Sequence, residues 1–253
     1  MTSMKRKRSP SPEHQSTRKH AKPDNHPHVS EIRLKTRSAQ DYWSRFCDDD
    51  RKGYRPIYAF TNIEHPQYAC SEDAVDFART RYLQVHRDHS TIGDQQYFVD
   101  ASLVECAKYA NSCTASVLVM IEALERTLAQ ESWYSSLQWC CARVRPRIFF
   151  RFDSSQVPSH DFMILKCKDG SSFVLDFSGQ QFGYREFVYT FEEYASDMLV
   201  DNNCIELVLK NELYENSRRI KKEDDYDGYF RKLEKSRMRL CDKADEDLRN
   251  GRW

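Results

Sequence analysis

The sequence predicts an α+β fold, and three observations carry that reading. A run with a broad apolar face, CTASVLVMIEALERTLAQ, lies near mid-chain; beyond it the apolar period shortens to the alternation of strands; and the strand-like segments follow one another instead of alternating with helices. Charge divides the 253 residues into three regions. Residues 1–37 carry 10 Lys/Arg against 3 Asp/Glu, residues 38–210 carry 17 against 25, and residues 211–253 carry 12 against 11. The zero net charge is therefore a basic arm offset by an acidic body.

Residues 1–37 have almost no large apolar side chains and cannot offset the entropy of ordering, which predicts a disordered basic tail. Within it Lys5, Arg6, Lys7 and Arg8 are followed by Arg18 and Lys19, the pattern of a nuclear-import signal. The pattern predicts an import receptor as partner and a location in nucleus and/or cytoplasm. Phosphate on Ser9 or Ser11, each followed by Pro, would offset the basic charge.

The expected domain spans residues 38–210. Ala74, Phe77, Ala78, Tyr82 and Val85 fall near 3.6 spacing and predict a helix over 71–86; a second is expected over 101–109. The broad apolar run predicts a buried helix from near Cys113 to about residue 130, capped by Asn111 or Ser112, with Val117, Leu118, Ile121, Leu124 and Leu128 inward. Val144, Ile148, Phe150 and Phe152 alternate with Arg145, Arg147, Phe149 and Arg151, which reads as a strand over 144–152 with one wet face. Two strands, 160–167 and 171–177, flank the hairpin signal Lys168-Asp169-Gly170. A helix over 190–200 and a strand over 204–210 complete the domain. Residues 211–253, with Leu213, Ile220, Tyr226, Phe230, Leu233 and Leu240 at loose helical intervals, predict a charged helical extension packing weakly on the body or on a partner.

Several function classes are excluded by pattern. The seven glycines lack the spacing of a phosphate-cradling loop. The longest run free of polar side chains, residues 117–121, is far short of the ~20 residues of a membrane helix, and no apolar h-region opens the chain. Nine cysteines without a secretory signal read as reduced thiols. No CxxC pair occurs, and His86 and His89 have no cysteine nearby, so neither metal nor cofactor is expected. The acidic body argues against nucleic acid as a ligand of the folded domain, although Arg143, Arg145, Arg147 and Arg151 cluster in sequence.

Cys113, His160 and Asp176 are the candidate catalytic residues. A thiol becomes a strong nucleophile as thiolate, which a helix N-terminus and a neighbouring imidazole both favour. His160 is the only histidine in the strand region. The hairpin decides whether Asp176 can join it. A two-residue loop would pair Lys168 with Ser171 and turn Asp176 away from His160. A three-residue loop with Gly170 in a left-handed bulge pairs Cys167 with Ser171, sets Asp176 opposite Phe162 and diagonal to His160, and gathers Met163, Leu165, Phe173, Leu175 and Phe177 on the other face. Packing and chemistry ask for the second register, with the face of His160, Phe162, Val174 and Asp176 turned toward the start of the Cys113 helix. Taken singly, each residue is equally a core or turn residue; the ordered set points to chemistry.

The order and context of NSCTASVLVMIEALERTL and HDFMILKCKDGSSFVLDFSGQQFG resemble the papain-like superfamily in its broad sense, which includes transglutaminase-like proteins and papain-fold toxins and glutamine deamidases. The likeness covers about residues 109–184 and includes Gln180 and Gln181 shortly after Asp176. It implies a papain-like core, a buried helix packed on an antiparallel sheet, and a thiol-dependent hydrolase, deamidase or acyltransferase working on protein or peptide amides. In that scheme Cys113 attacks, His160 moves the proton and Asp176 orients the ring. Ala107 stands where papain-like proteases carry an oxyanion glutamine, and Ser112 separates Asn111 from Cys113. The Cys113 N–H is then one oxyanion donor and Asn111 the candidate second. The competing expectation is a non-catalytic α+β interaction module in the nucleus, with the basic arm and C-terminal helix as its contacts.

Overall fold

The computed structural model describes residues 26–51, 59–63, 80–86, 96–151, 159–209 and 228–251. In chain order these form α1 (Pro27–Arg51), β1 (Ala59–Asn62), β2 (Arg81–His86), α2 (Ala101–Ala107), α3 (Cys113–Leu128), β3 (Tyr134–Arg143), β4 (Ile148–Arg151), β5 (Ser159–Cys167), β6 (Ser172–Leu175), a 3-10 turn (Gly179–Phe182), β7 (Val188–Thr190), α4 (Phe191–Asp197), β8 (Glu206–Leu207) and α5 (Tyr229–Arg249). The class is α+β. A five-stranded antiparallel sheet runs in the order β7-β6-β5-β3-β8, and a three-stranded sheet runs β1-β2-β4.

Alternation along β5 and β6 gives the larger sheet two apolar faces. Met163, Leu165, Phe173 and Leu175 pack on one side against Val117, Ile121, Leu124 and Leu128 of α3. Phe162, Ile164 and Val174 pack on the other against Phe182, Tyr184 and Tyr194. α3 is thus a central helix, and the five positions expected inward, including Leu118, are all buried. The hairpin between β5 and β6 has the three-residue loop: Gly170 has φ +90°, the Cys167 N–H donates to the Ser171 carbonyl at 2.9 Å, and Met163 lies opposite Leu175.

Four expectations are corrected. Residues 27–37 are helical, not disordered: Val29, Ile32 and Thr36 on one face of α1 are buried, so packing offsets what the polar composition alone would not. Residues 1–25 lie outside the described residues. The helix expected over 71–86 ends in strand β2, where Leu83, Val85 and His86 are buried; residues 71–79 lie outside the description. The strand expected over 144–152 is interrupted. Val144 makes an isolated bridge to Leu199, and β4 pairs parallel with β2 in the smaller sheet, while the preceding YSSLQWCCAR, whose strand signal is weakened by its serines and glutamine, forms the long β3. The C-terminal helix is not weakly attached. Leu233, Leu240, Cys241 and Ala244 of α5 join the core around α3, and Arg126 bridges Glu122 at 2.7 Å and Asp245 at 2.6 Å across the two helices.

The arginines of residues 143–151 are partly structural. Arg145 donates to the carbonyls of Val200 and Ser196, and the Arg147 guanidinium lies 4.4 Å from the centre of the Tyr184 ring. No helix among the described residues is long and apolar enough to cross a membrane.

Candidate active site

Asn111 turns the chain into α3 with φ +57°, a left-handed conformation that asparagine tolerates better than most residues. Ser112 occupies the cap position, yet its hydroxyl donates backwards to the Tyr109 carbonyl at 2.6 Å and makes no capping bond. The expected side-chain cap is therefore missing. The first-turn N–H groups of α3, which have no partners within the helix, are left without a side-chain cap where Cys113 begins it. Cys113 itself is half-buried.

His160 enters from the start of β5 and is fully buried. Its Nε2 donates to Asp176 Oδ2 at 2.8 Å, and its ring meets Phe182 edge-on with centroids 4.8 Å apart. Nδ1 is buried with no oxygen or nitrogen partner, which leaves it as the ring nitrogen to serve the thiol. The Cys113 sulfur is near enough to this imidazole for His160 to be the group that most lowers the thiol's pKa, although Nδ1 makes no hydrogen bond. Asp176 follows β6 and is also buried. Tyr194 donates to its Oδ2 at 3.0 Å, and the Ser178 N–H and hydroxyl to its Oδ1 at 3.1 and 3.5 Å, so with His160 four donors hold the carboxylate.

These contacts decide the protonation. Burial alone would push the Cys113 thiol up, but the hydrogen-bonding and charge of His160, aided by the Asp161 N–H, outweigh it and leave the thiol below its ordinary value. Burial opposes charge on His160 as well; the Asp176 carboxylate and then Cys113 overcome it and raise the imidazole to about 10. The arrangement favours the thiolate beside an imidazolium over the neutral pair.

The expected face is corrected in one respect. α3 lies against the Met163 side of the sheet, opposite Phe162 and Val174. Cys113 and His160 meet only at the end of the sheet, where α3 and β5 both begin. Asp161 secures that junction: its carboxylate accepts from the Thr114 hydroxyl and from Trp139 Nε1 at 3.1 Å, tying the first turn of α3 to β3 and β5.

Three residues of the site escaped the sequence reading in whole or part. Asp161 and Tyr194 carry no pattern of their own. Gln181, noted only for its place after Asp176, is buried; its Oε1 accepts from the Asn111 N–H at 3.0 Å, and its Nε2 has no hydrogen-bond partner. Asn111, the candidate oxyanion donor, is itself exposed. A further thiol, Cys141, pairs with Asp161 across the β3–β5 ladder and lies 2.8 Å from Ser159 Oγ; burial first, and then neighbouring groups including Cys113, hold it above its ordinary value. Among the described residues no group of three or more His, Cys, Asp or Glu could hold a metal ion. Lys5, Arg6, Lys7, Arg8, Arg18 and Lys19 lie outside the described residues.

No protein family, curated protein or solved structure matches the chain.

Proposed function

We propose that the protein is a thiol-dependent amide hydrolase, deamidase or acyltransferase of papain-like type, acting on protein or peptide amides through Cys113, His160 and Asp176. One observation carries the reading: a half-buried cysteine at an uncapped helix start interacts with a buried histidine whose far nitrogen is held at 2.8 Å by a buried aspartate.

The Cys113 thiolate attacks the amide carbonyl carbon and the carbonyl oxygen becomes an oxyanion. The Cys113 N–H is one donor to that oxyanion, and the unpartnered Nε2 of Gln181, beside the loop that leads into α3, supplies the second in preference to Asn111. His160 Nδ1–H protonates the leaving nitrogen as the C–N bond breaks, leaving a Cys113 thioester. His160, now neutral, takes a proton from water, or from an acceptor amine in a transfer reaction. The attacking oxygen or nitrogen displaces the thiolate. Asp176 stays ionised throughout and fixes the tautomer that presents Nδ1 to the sulfur.

The test is labelling of the intact protein with a thiol-directed electrophile at neutral pH, followed by turnover of peptide and glutamine-amide substrates. Cys113 is expected to react ahead of the other eight cysteines; Cys113→Ala should abolish turnover with the thermal transition in place, and His160→Ala should abolish it while lowering the thermal midpoint, because it leaves the buried Asp176 without its charge partner. Equal labelling of the exposed Cys204 and Cys113 would remove the catalytic reading in favour of an interaction module.

A further inference from the structure

Between α1 and α5, on elements that do not carry the triad, lies a groove of about 640 Å³ lined by Tyr42, Arg45, Phe46, Ser236 and four cations of α5. Those four are Lys232, Lys235, Arg239 and Lys243, all exposed, and no acidic side chain lines the groove. Of the acids on the same helices, Glu234 pairs with Arg237, Asp245 with Arg126 and Asp41 with Arg37, while Asp242, Glu246 and Asp247 of α5 are not among the groove's lining residues. Spacings of three and four residues put the α5 cations in one row, about 16 Å long at 1.5 Å per residue. A row of that length suits a linear polyanion rather than a single anionic group. Tyr42 and Phe46 stand one turn apart on α1, are each half-buried and both line the groove; one face of Phe46 is stacked on Trp43, and the Tyr42 hydroxyl donates to the Ser236 carbonyl of α5 at 3.5 Å.

We propose that this groove binds single-stranded nucleic acid, its phosphodiester chain along α5 and its bases against Tyr42, Phe46 and the guanidinium planes of Arg45 and Arg239. A cationic track beside aromatic faces is how proteins hold single strands without reading sequence. A polyglutamate chain would satisfy the cations but has no flat rings to place on the aromatics. The acidic average of residues 38–210 concealed the site, because α5 lies beyond that region and segregates its cations onto one face while its near-neutral count hides them.

The experiment measures fluorescence anisotropy of labelled 12-mers of deoxythymidylate and uridylate with the full chain. Lys5, Arg6, Lys7, Arg8, Arg18, Lys19 and Lys22 are first replaced by Ser, so that the basic arm cannot supply the binding. In that background both strands are expected to bind. Lys235→Glu with Arg239→Glu should weaken them at least about tenfold at 100 mM salt and flatten the salt dependence by more than one unit of slope, since each phosphate contact to a single strand contributes ~0.7. Lys232→Glu with Lys243→Glu should do the same, and because all four side chains are exposed, either pair tests the groove on a folded chain. Absence of binding once the arm is neutralised, unchanged affinity after both reversals, or equal competition by a polyglutamate 12-mer would overturn the proposal. A preference for uridylate over thymidylate would assign the strand as RNA, and the reverse preference as DNA.

Discussion

Cys113 is subject to opposing forces, and His160 decides between them. Burial disfavours the thiolate, while the imidazolium beside it and the open N–H groups of α3 favour it. Alkylation of Cys113 is therefore expected to stay fast down to a pH below the ordinary thiol value, and His160→Ala should move the midpoint upward; mass spectrometry of the modified peptide against pH reads both. Cys141→Ser should leave that profile in place. Turnover should be bell-shaped, falling on the acid side as the thiolate protonates and on the alkaline side as His160 loses its proton near 10. The same raised imidazole has a signed effect on stability. Its contribution is complete below the ordinary histidine value of about 6.5 and is lost as pH rises through about 10. Asp176→Asn should retain a measurable fraction of activity, because the residue orients and does not transfer the proton. Gly179 offers a sharper probe: a Cβ there would sit 2.6 Å from Asp176 Oδ2. In Gly179→Ala the carboxylate or the turn beneath it must shift, so kcat should fall about a hundredfold, as for a misplacement of an ångström, and the thermal midpoint should fall with it because a buried charge pair is disturbed.

Helix α3 links the chemistry to the core, because the turn that presents Cys113 is continuous with residues packed between the sheet and α5. Ile121 is fully buried, and Ile121→Ala should cost about 2–5 kcal/mol in a denaturant titration. Leu240, on the far side of the α3–α5 contact, is also buried, and Leu240→Ala belongs in the same range, at its lower end if α5 shifts to fill the space. Had α5 been a loosely attached extension, the second value would be near zero. The bridges of Arg126 and Arg237 to Glu122 are partly exposed and contribute orientation more than stability.

The two terminal helices make the packed unit larger than the segment that composition marks as globular. Val29 and Ile32 of α1 and Leu233 and Leu240 of α5 share one core with α3 and the Met163 face of the sheet. Deleting residues 2–37 should therefore lower the thermal midpoint, since it removes two fully buried aliphatic side chains worth roughly 1.5–3 kcal/mol each. An unchanged midpoint by calorimetry would mean that α1 is not part of the folded core. The two termini also shape the groove proposed for nucleic acid, so the same deletion should weaken the groove's 12-mer complexes as well as the fold.

Period, turn chemistry and helix-start logic were enough to place the central helix, the three-residue hairpin and the register that puts Asp176 within reach of His160. Each of these is local, or follows from matching two adjacent strands, so a linear pattern contains it. The same patterns could not reveal that α1 is helical, because its stability comes from burying Val29, Ile32 and Thr36 against distant residues and not from its own composition. Nor could they place residues 148–151 in a second sheet with β2, or Tyr194, Asp161 and Gln181 beside the triad, since those partners come from parts of the chain with no shared spacing. The order Cys113, His160, Asp176 is legible along the chain; the hydrogen bond that joins His160 to Asp176, the side of the sheet on which α3 lies and the cationic groove exist only where separate elements meet, because burial and charge depend on neighbours in space.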